Sequence, residues 1–353
     1  MTAGNQTRVA IVGATGYAGT ELIRLLHDHP AVRITFLGSA SQDGHALGDV
    51  FHHFDAETSA LRLQRFSVDE HADVADIFFM AMDNGQAQRI APALLERGRR
   101  IIDLSADFRL KNPDNYDTWY HFKHAVPELL KRAVYGLPEI YGEEIPGADL
   151  VANPGCYTTT AILALAPALN GGFVESKGII VDALSGVSGA GRSKTQVAYL
   201  YSELNDNAKA YGVPNHRHSP EIEQELTTAA GEQVTLTFTP HLIPMTRGIL
   251  ATSYASLKTP VTPQDITAHY ESFYANAPFV RVCPPSRFPS IQEVRGTNMC
   301  IIGLTVDHHT NRLIVVSATD NLIKGAAGQA VQNLNLMIGM PETTNLPRTA
   351  LYP

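Results

Sequence analysis

The stretch R-V-A-I-V-G-A-T-G-Y-A-G, residues 8–19, decides the fold. Its first five residues form a short run rich in β-branched side chains, which predicts a strand, and residues 20–27 repeat apolar side chains at helical spacing. Gly13, Gly16 and Gly19 lie between the two in a G-x-x-G-x-x-G pattern. A strand, a glycine turn and a helix in this order are typical of the start of a nucleotide-binding βαβ unit.

The glycine turn predicts phosphate binding by the backbone. One glycine lets the chain turn sharply, a second lets the backbone approach a pyrophosphate, and a third lets the helix pack closely on the strand. The helix N-terminus then supplies N–H groups to the phosphates. An ordinary tight βα turn is the alternative, and the flanking strand and helix favour the nucleotide site. We therefore expect a dinucleotide to contact Gly13, Thr15, Gly16, Tyr17 and Gly19.

The residues after the second predicted strand indicate which dinucleotide binds. An NAD site is expected to have an acidic residue here, about twenty residues beyond the glycines, to bind the ribose hydroxyls. Residues 37–42 read L-G-S-A-S-Q instead. Because the hydroxyls of Ser39 and Ser41 can receive a 2′-phosphate, NADP is the favoured cofactor, and a plain polar loop is the alternative.

Strand and helix patterns alternate over the first part of the chain. Residues 33–38, 77–81 and 100–104 resemble strands, and 86–97 has a helical pattern. This alternation predicts an α/β fold with a Rossmann-type doubly wound parallel sheet.

Beyond Val151 the strand candidates are connected mostly without helices, which predicts an α+β domain with a largely antiparallel or mixed sheet. Its predicted strands are 178–183, 234–240, 249–257, 299–306 and 312–318, with a hairpin turn at 307–311. Its predicted helices are 158–169, 220–230 and 263–274.

The last pattern, residues 322–338, predicts a long amphipathic helix that returns to the first domain. We therefore expect residues 1–152 to form an NADP-binding Rossmann-like domain that 322–353 completes. Residues 153–321 would form a catalytic and oligomerisation domain, with the chain crossing between the domains twice.

Composition excludes several classes of function. Across 353 residues, 44% are hydrophobic, 18% are charged and the net charge is -8, which disfavours nucleic acid as a partner and suggests surface hidden in an oligomer. No apolar stretch reaches the roughly 18 residues of a membrane span, and the polar N-terminus lacks the features of a signal peptide. Three cysteines are too few and too dispersed for a disulfide framework, so we expect reduced thiols and a cytoplasmic protein.

The segment N-P-G-C-Y-T, residues 153–158, carries the chemistry. Pro154 keeps Asn153 extended, Gly155 permits a tight turn, and a helical pattern follows from Thr158. Cys156 is thereby placed at a helix N-terminus, where N–H groups and the helix dipole lower a thiol pKa and favour a nucleophilic thiolate. A small buried hydrophobe is the alternative for any cysteine, and it fits Cys300 and Cys283 better.

A cysteine nucleophile needs a proton shuttle, and residues 215–221, N-H-R-H-S-P-E, offer two histidines. Ser219 is positioned to cap a helix starting at Pro220, which would hold His218 just outside a rigid helix start. We therefore assign His218 to proton transfer with Cys156 and give His216 a supporting or substrate-contacting role. The same spacing suits two metal ligands, but no third ligand is fixed by spacing, so we expect no metal site.

Two more segments fit a ligand site. Residues 185–192, S-G-V-S-G-A-G-R, follow a predicted strand, and their small side chains would admit a nicotinamide ring close to the backbone, whereas a flexible surface loop is the alternative. Arg109 lies just beyond the predicted strand 100–104, where doubly wound folds bind ligands, and its guanidinium can grip phosphate or carboxylate in a bidentate way. A structural ion pair with Asp107 is the competing explanation.

Together these segments resemble the N-acetyl-gamma-glutamyl-phosphate reductase family from Val9 to Gly339. Thr158 stands where that family usually has proline. The resemblance depends on motifs that occur in order: V-G-A-T-G-Y-A-G (12–19), D-L-S-A-D-F-R-L (103–110), Y-G-L-P-E (135–139), N-P-G-C-Y (153–157), S-G-V-S-G-A-G-R (185–192), N-H-R-H-S-P-E-I (215–222), P-H-L-I-P-M-T-R-G-I-L (240–250), G-T-N-M-C (296–300) and D-N-L-I-K-G-A-A-G-Q-A-V-Q-N (320–333).

The resemblance implies a reaction in arginine biosynthesis. Cys156 would carry an acyl group as a thioester, NADPH would reduce it to a semialdehyde, and phosphate would leave. A homodimer or homotetramer is expected. Further cofactor contacts are implied for Ser185, Gly186, Ser188, Gly189, Asn321, Lys324 and Gly325, and substrate contacts for Arg109, Asn153 and Arg247.

Two alternatives stay open from the sequence. One is a related reductase acting on the acyl phosphate of an aminoadipate or aspartate derivative. The other is a catalytically silent NADP-binding regulator, because doubly wound folds also serve as sensors. The intact Cys156 and the His216/His218 pair argue against the second.

Overall fold

The computed structural model describes residues 6–351, which divide into two units. The first unit contains residues 6–154 and 326–346, and the second contains 155–325 and 347–351. The chain therefore crosses between the units three times, whereas the sequence analysis expected two crossings. The last crossing arises because the C-terminal residues pair within the second unit, where the Asn298 N–H donates to the Pro347 carbonyl over 2.8 Å.

The first unit contains a seven-stranded sheet in the order β3-β2-β1-β4-β5-β7-β6, and every pairing in it is parallel. Its strands are β1 (Thr7–Val12), β2 (Val32–Gly38), β3 (Leu63–Gln64), β4 (Ile77–Met80), β5 (Arg100–Asp103), β6 (Val134–Tyr135) and β7 (Leu150–Ala152). Its helices up to the first crossing are α1 (Tyr17–Leu26), α2 (Leu47–Val50), α3 (Ala56–Ser59), α4 (Val68–His71), α5 (Ala87–Glu96), α6 (Asp114–Tyr120) and α7 (Pro138–Tyr141).

The predicted doubly wound parallel sheet is thus confirmed. Residues 9–12 of β1 and all four residues of β4 are buried, as expected for central strands covered on both faces. Strand order reverses between β1 and β4, and open α/β sheets bind ligands at such a reversal.

The second unit contains a mixed seven-stranded sheet in the order β12-β13-β14-β11-β8-β10-β9, as predicted. Its strands are β8 (Ile179–Ser185), β9 (Lys209–Ala210), β10 (Leu236–Leu242), β11 (Ile249–Ser256), β12 (Val280–Val282), β13 (Cys300–Asp307) and β14 (Arg312–Thr319). Its helices are α8 (Cys156–Asn170), α9 (Tyr201–Leu204), α10 (Ser219–Ala230) and α11 (Pro263–Phe273). The predicted hairpin at 307–311 joins β13 to β14.

One face of this second sheet packs against α8. Buried and half-exposed residues alternate along β8 and β11, while residues 157–169 of α8 are all buried. The Ser317 hydroxyl of β14 donates to the Thr160 carbonyl of α8 over 3.1 Å. The buried face of the sheet therefore lies against α8, and the other face carries the half-exposed residues.

The C-terminal pattern is not one amphipathic helix, so that prediction is wrong in detail. A π-helical turn spans Ile323–Ala327, and α12 (Gly328–Met337) follows it in the first unit. The Gly325 N–H reaches back five residues to the Asp320 carbonyl over 2.9 Å, which widens the turn. Residues 328–335 are all buried, so α12 has no broad solvent face. Within residues 6–351, no helix is long and apolar enough to cross a membrane.

Candidate active site

The glycine turn has the geometry that the sequence predicts. Gly13 has φ +95°, and a Cβ there would lie 2.1 Å from the Ala81 carbonyl oxygen. A Cβ on Gly19 would lie 2.3 Å from the Gly13 carbonyl oxygen, so α1 packs directly on the turn. A Cβ on Gly16 would meet only that same oxygen, at 3.5 Å, so the backbone at Gly16 is open to a ligand.

The N-terminus of α1 offers N–H groups to an anion. Its first intrahelical bond runs from the Thr20 N–H to the Gly16 carbonyl over 2.8 Å, so the N–H groups of residues 17–19 have no intrahelical partner. The first turn of α1 contains no acidic residue among the residues described. The positive end of the helix dipole is therefore available, and the turn fits a dinucleotide pyrophosphate.

Hydroxyl groups follow the end of β2. The Thr15 and Ser39 hydroxyl oxygens lie 3.0 Å apart, and Ser39 is buried. Ser41 is exposed, and Tyr17 is 41% exposed. The structure therefore brings Thr15 and Ser39 together beside the glycine turn, whereas Ser41 lies further along an exposed loop.

Beyond β5, Arg109 holds two backbone carbonyls. Its Nε donates to the Asn153 carbonyl over 2.7 Å and its Nη2 to the Leu104 carbonyl over 2.8 Å. The carboxylate of Asp107 accepts backbone N–H bonds from Gly85 and Gln88. Arg109 is only 8% exposed, so it ties the end of β5 to the residue that follows β7.

Asp103, the last residue of β5, is a buried carboxyl group. It accepts bonds from the Ser105 N–H and hydroxyl over 2.9 and 2.8 Å. Burial, and next the neighbouring Asp107 carboxylate, raise the pKa of Asp103, while the Arg109 guanidinium opposes that rise. The end of β5 is therefore a buried charged cluster.

Cys156 lies at a helix N-terminus, as predicted, although α8 begins at Cys156 itself, two residues before the predicted start at Thr158. Gly155 caps that helix in an extended conformation, with φ -69° and ψ 153°. Cys156 is half-buried, whereas Cys283 and Cys300 are buried, and none of these three described cysteines forms a disulfide. Cys156 thus combines a helix N-terminus with partial exposure, the environment of a reactive thiol.

Glu221 braces the cysteine turn, a role that the sequence analysis missed. Its carboxylate is fully buried, with Oε1 3.0 Å from the Gly155 N–H nitrogen and 2.9 Å from the Thr158 hydroxyl. The Thr158 hydroxyl also lies 2.5 Å from the Gly155 carbonyl oxygen. Side-chain hydrogen bonds therefore fix the first turn of α8. The acidic residue in S-P-E (219–221) was the one available signal.

The π-helical turn lies against the cysteine. A Cβ on Gly325 would lie 2.8 Å from the Cys156 Cβ, so only glycine allows this approach. Lys324 is fully buried, and its ammonium lies 5.8 Å from the centre of the Phe279 ring. Of the two predicted cofactor contacts, Gly325 is therefore the one placed beside Cys156.

The two histidines form one cluster with Tyr157. Their ring centroids are 4.8 Å apart, and the Tyr157 ring lies 5.8 Å from that of His216 and 5.9 Å from that of His218. The His218 N–H donates to Nδ1 of His216 over 3.1 Å. Burial, with a smaller contribution from Arg217, lowers the pKa of His216 to about 4, so this imidazole is neutral near pH 7.

Ser219 does not cap α10, so that part of the prediction is wrong. The helix begins at Ser219 itself and His218 is the capping residue. A capping side chain accepts hydrogen bonds from the free N–H groups of the first turn, and a side chain inside that turn does not point at them. Among the described residues, the buried Ser219 hydroxyl has no hydrogen-bond partner.

Tyr211 joins the cluster through hydroxyl groups, and the sequence analysis missed it. Its hydroxyl donates to that of Tyr157 over 3.0 Å, and the Tyr157 hydroxyl donates to the His241 carbonyl over 3.4 Å. Burial raises the pKa of both tyrosines, so both remain protonated hydrogen-bond donors.

The serine- and glycine-rich segment is ordered rather than a flexible loop as far as residue 190. The Gly186 N–H donates to the Gly248 carbonyl over 3.0 Å. Asn321 connects the two segments that contain Ser188 and Gly248, because its Nδ2 donates to the Ser188 hydroxyl over 2.9 Å and its Oδ1 accepts from the Gly248 N–H over 2.7 Å. A Cβ on Gly189 would lie 3.4 Å from the Ser185 hydroxyl. The structure thus brings these predicted cofactor residues together in the second unit.

Arg247 borders that segment. A Cβ on Gly186 would lie 2.7 Å from the Arg247 backbone nitrogen. The Arg247 guanidinium lies 3.9 Å from the buried Asp320 carboxylate and lines a pocket of about 360 Å³. Across residues 6–351, no group of three or more His, Cys, Asp or Glu side chains is arranged to hold a metal ion.

Two family models match the chain. The model for the semialdehyde dehydrogenase NAD binding domain matches residues 8–148, and that for the semialdehyde dehydrogenase dimerisation domain matches residues 156–321.

Solved structures share the fold. Aspartate semialdehyde dehydrogenase II from Vibrio cholerae, complexed with ASA, has a TM-score of 0.72 at 18% identity and aligns over 95% of this chain and 99% of its own. Aspartate semialdehyde dehydrogenase with NADP from Candida albicans has a TM-score of 0.69 at 15% identity, over 95% of this chain and 99% of its own.

Curated relatives are much more similar in sequence. The N-acetyl-gamma-glutamyl-phosphate reductase of Geotalea daltonii is 51% identical over 347 residues, which cover 98% of this chain and 99% of that protein. That of Moorella thermoacetica is 49% identical over 346 residues, with the same coverage. Such identity over the full length of both chains confirms the resemblance carried by the motifs, and the chain belongs to the N-acetyl-gamma-glutamyl-phosphate reductase family.

Proposed function

We propose that this chain reduces N-acetyl-gamma-glutamyl phosphate to N-acetyl-L-glutamate 5-semialdehyde and phosphate, with Cys156 as its nucleophile. The chain is an oxidoreductase of arginine biosynthesis, and its cofactor is NADP. The observation that carries the assignment of Cys156 is its place as the first residue of α8, half-buried and beside Gly325.

The first step is acyl transfer to sulfur. The Cys156 thiolate attacks the γ-acyl carbon, the carbon–oxygen bond to phosphate breaks, and phosphate leaves with that electron pair. A thioester remains on Cys156. Sulfur suits this step because a thioester accepts hydride readily, whereas a serine ester would resist reduction.

NADPH, when bound, supplies the hydride that reduces this thioester. The N-terminus of α1 with Gly13, Gly16 and Gly19 would hold the pyrophosphate of the cofactor, and the hydroxyls of Thr15 and Ser39 would receive its 2′-phosphate. Tyr17 and Ser41 would add contacts from exposed positions. We assign the remaining contacts with the cofactor to Ser185, Gly186, Ser188, Gly189, Asn321, Lys324 and Gly325. The thiohemiacetal on Cys156 then collapses, which releases the semialdehyde and restores the thiolate.

His218 moves the protons in this scheme. It accepts the thiol proton of Cys156 and returns a proton to the oxygen of the thioester carbon as that carbon is reduced. His216 stays neutral because its pKa is about 4, so it acts as a hydrogen-bonding group toward the substrate. The Tyr157 ring packs against both histidine rings.

Three residues are assigned to the substrate. We assign the phosphate to the Arg109 guanidinium, which also donates from Nε and Nη2 to two backbone carbonyls, and a substrate carboxylate to the Arg247 guanidinium, because guanidinium groups bind oxyanions strongly. Asn153 uses one amide hydrogen and one lone pair inside the first unit, which leaves a second of each for the substrate.

An absorbance assay at the nicotinamide band tests the function. With NADP and phosphate, the enzyme should oxidise N-acetyl-glutamate semialdehyde in preference to aspartate or aminoadipate semialdehyde derivatives. Preference for one of the latter would contradict the substrate, and inactivity with all of them would contradict the reaction. Replacing NADP by NAD in the same assay measures cofactor choice.

We propose a homodimer or homotetramer, which is supported by the match of residues 156–321 to a dimerisation domain. The face of its sheet opposite α8 carries half-exposed apolar side chains at neighbouring register positions, among them Leu184, Leu250, Tyr254 and Ile314. Contiguous apolar surface of this kind marks protein interfaces. In analytical sedimentation, the wild type should be a multimer. Leu250→Glu, which places a charge on this face, should be a smaller species. A cytoplasmic location remains a prediction from the sequence.

A further inference from the structure

Asn333, in α12, is fully buried and makes two hydrogen bonds with one amide nitrogen. Its Nδ2 donates to the Gly136 carbonyl over 2.9 Å and to the Asn153 Oδ1 over 3.1 Å. All three residues belong to the first unit. Asn333 has no role in the proposed mechanism, although it is the last residue of the motif at 320–333.

Asn153 is the residue through which this contact reaches the reactive turn. It is 1% exposed, and its Nδ2 donates to the Ala326 carbonyl over 3.1 Å. Its backbone N–H donates to the Asp103 carbonyl over 2.8 Å, and its carbonyl accepts from Arg109. Side chain and backbone of Asn153 are thus held from four directions, two residues before the helix cap at Gly155.

The Asn333 amide packs closely against the backbone of Gly136. A Cβ on Gly136 would lie 2.4 Å from the Asn333 Nδ2 and 2.7 Å from the Val151 Cγ1. The amide of Asn333 therefore lies directly on the backbone after β6, with its second bond aimed at Asn153. Because the Asn333 Nδ2 bonds both Gly136 and Asn153, a shift of α12 would move Asn153, the residue that follows β7.

We propose that Asn333 is a positioning residue for the reaction: through Asn153 it fixes the backbone that leads into Cys156. Only Pro154 and Gly155 separate Asn153 from the nucleophile, and the ring of Pro154 restricts the intervening backbone. A displacement of about 1 Å at a reacting group can cost on the order of 10²-fold in rate. The inference rests on the proposed function of Cys156.

Asn335 is the matched control. It lies two residues away in α12, is fully buried, and donates from Nδ2 to the carbonyls of Glu342 and Thr344 over 3.1 and 2.9 Å. Its Oδ1 lies 2.9 Å from the His29 ring. Loss of Asn335 removes three hydrogen bonds from the same helix, against two for Asn333, and none of the three involves Asn153.

The experiment compares kcat and KM of Asn333→Ala, Asn335→Ala, Asn153→Ala and the double variant Asn333→Ala/Asn153→Ala, with Tm for each. We expect Asn333→Ala to lower kcat about 10-fold to 10²-fold with KM changed less than about 3-fold. Asn335→Ala should lower Tm at least as much as Asn333→Ala does, because it loses three hydrogen bonds rather than two, while its kcat stays within about 2-fold of wild type. If Asn333 acts through Asn153, the double variant loses no more kcat than Asn153→Ala alone.

Equal kcat in the two single variants of α12 would overturn the proposal, as would losses that multiply in the double variant. If Asn333→Ala does not fold, Asn333→Ser against Asn335→Ser gives the same comparison with smaller cavities. A wild-type enzyme without reductase activity would contradict the proposed function instead, so the two failures are distinguishable.

Discussion

Two turns of this molecule, the glycine turn before α1 and the cysteine turn before α8, share one construction. Each follows a buried strand of the parallel sheet, and each ends on a glycine that caps a helix. Gly16 caps α1 at φ -74° and ψ 164°, and Gly155 caps α8 at φ -69° and ψ 153°. Within the described helices, neither first turn contains an acidic residue.

The turns differ in the first helical residue and in what surrounds it. Tyr17 opens α1 and is 41% exposed, so the N–H groups beside it can meet an anion from outside. Cys156 opens α8, where Glu221 and Thr158 brace the turn from within. Under the proposed function, the positive end of the helix would bind a cofactor phosphate in one case and stabilise a thiolate in the other. The same local structure would then serve cofactor and nucleophile, with a different first helical residue in each.

The largest expected effect comes from removing the thiolate. Cys156→Ser should lower reductase activity by more than about 10³-fold. The serine hydroxyl ionises far less readily than a thiol, and the ester that it would form is a poor acceptor of hydride. NADP affinity, measured by titration, should stay at the wild-type value because the cofactor's pyrophosphate binds at the other turn. Near-normal turnover in this variant would contradict the role of Cys156 as nucleophile, and with it the difference between the two turns.

Alkylation of the wild type provides the internal control. At pH 7, iodoacetamide should label Cys156 before the buried Cys283 and Cys300, as mass spectrometry of digested protein would detect. Earlier labelling of either buried cysteine would contradict the special environment of Cys156.

The next largest effect concerns the histidines around the cysteine turn. His218→Asn should lower kcat by about 10²–10⁴-fold, the usual contribution of a general acid–base group, whereas His216→Asn should chiefly raise KM. Steady-state kinetics of both variants measure this split. The reverse pattern would exchange their roles, and losses of only a few-fold in both would assign proton transfer to another group.

His216 should also make folding stability depend on pH. Its pKa is about 6.5 in the unfolded chain and about 4 in the folded one, since burial disfavours the charged ring. Keeping His216 neutral therefore costs the folded protein nothing above pH 6.5. As pH falls from 6.5 toward 4, the free energy of unfolding should decrease by up to roughly 3 kcal/mol, because only the unfolded chain readily takes up the proton. Denaturant unfolding should give a flatter pH profile for His216→Asn than for the wild type. The exposed His308→Asn should retain the wild-type slope, and a retained slope in His216→Asn would refute the assignment.

Ser39→Asp probes the glycine turn. A carboxylate beside Thr15 would repel the 2′-phosphate, so the affinity for NADP should fall about 10-fold, or about 1.4 kcal/mol. The difference in affinity between NADP and NAD should narrow as a result. Ser41→Asp, at an exposed site, should have a smaller effect. Calorimetric titration with both cofactors measures this, and a wild-type preference for NAD would contradict the role of Ser39.

The smallest effect tests how the cysteine turn is braced. Thr158→Val removes a hydroxyl 2.9 Å from the Glu221 carboxylate and should cost about 1–2 kcal/mol of unfolding free energy. Thr159→Val is its matched control, because the buried Thr159 hydroxyl has no hydrogen-bond partner among the described residues. That variant should be neutral or stabilising. Equal losses in the two variants would mean that the hydroxyl of Thr158 does not brace the turn.

Both turns could be predicted from sequence because contiguous residues specify each of them. Gly13, Gly16 and Gly19 act within seven positions, and Pro154, Gly155 and Cys156 are adjacent. The groups that hold the turns could not be predicted in this way. Glu221 lies 66 residues from Gly155, and Asn333 lies 180 residues from Asn153, so only the tertiary fold brings them together.

The missed elements have local causes. Strands β6, β7, β9 and β12 are two or three residues long, too short to show a hydrophobic period. Ser219 failed as a cap because the helix begins one residue earlier than predicted, and one residue separates a cap from a helical position. The π-helical turn places Gly325 against Cys156, a tertiary contact that no pattern within residues 322–338 reveals.

The division of the first unit between two stretches of chain has a consequence for protein synthesis. Arg100 donates to the Met337 carbonyl over 2.7 Å, and His29 contacts Asn335, so α12 is an integral part of the unit that the N-terminal residues begin. A ribosome must translate the whole of residues 155–325 before this helix exists. The domain that emerges first is therefore completed almost last, and a nascent chain stalled after residue 154 would expose the surface that α12 covers. Fragments ending there should require a separately supplied C-terminal peptide to become native.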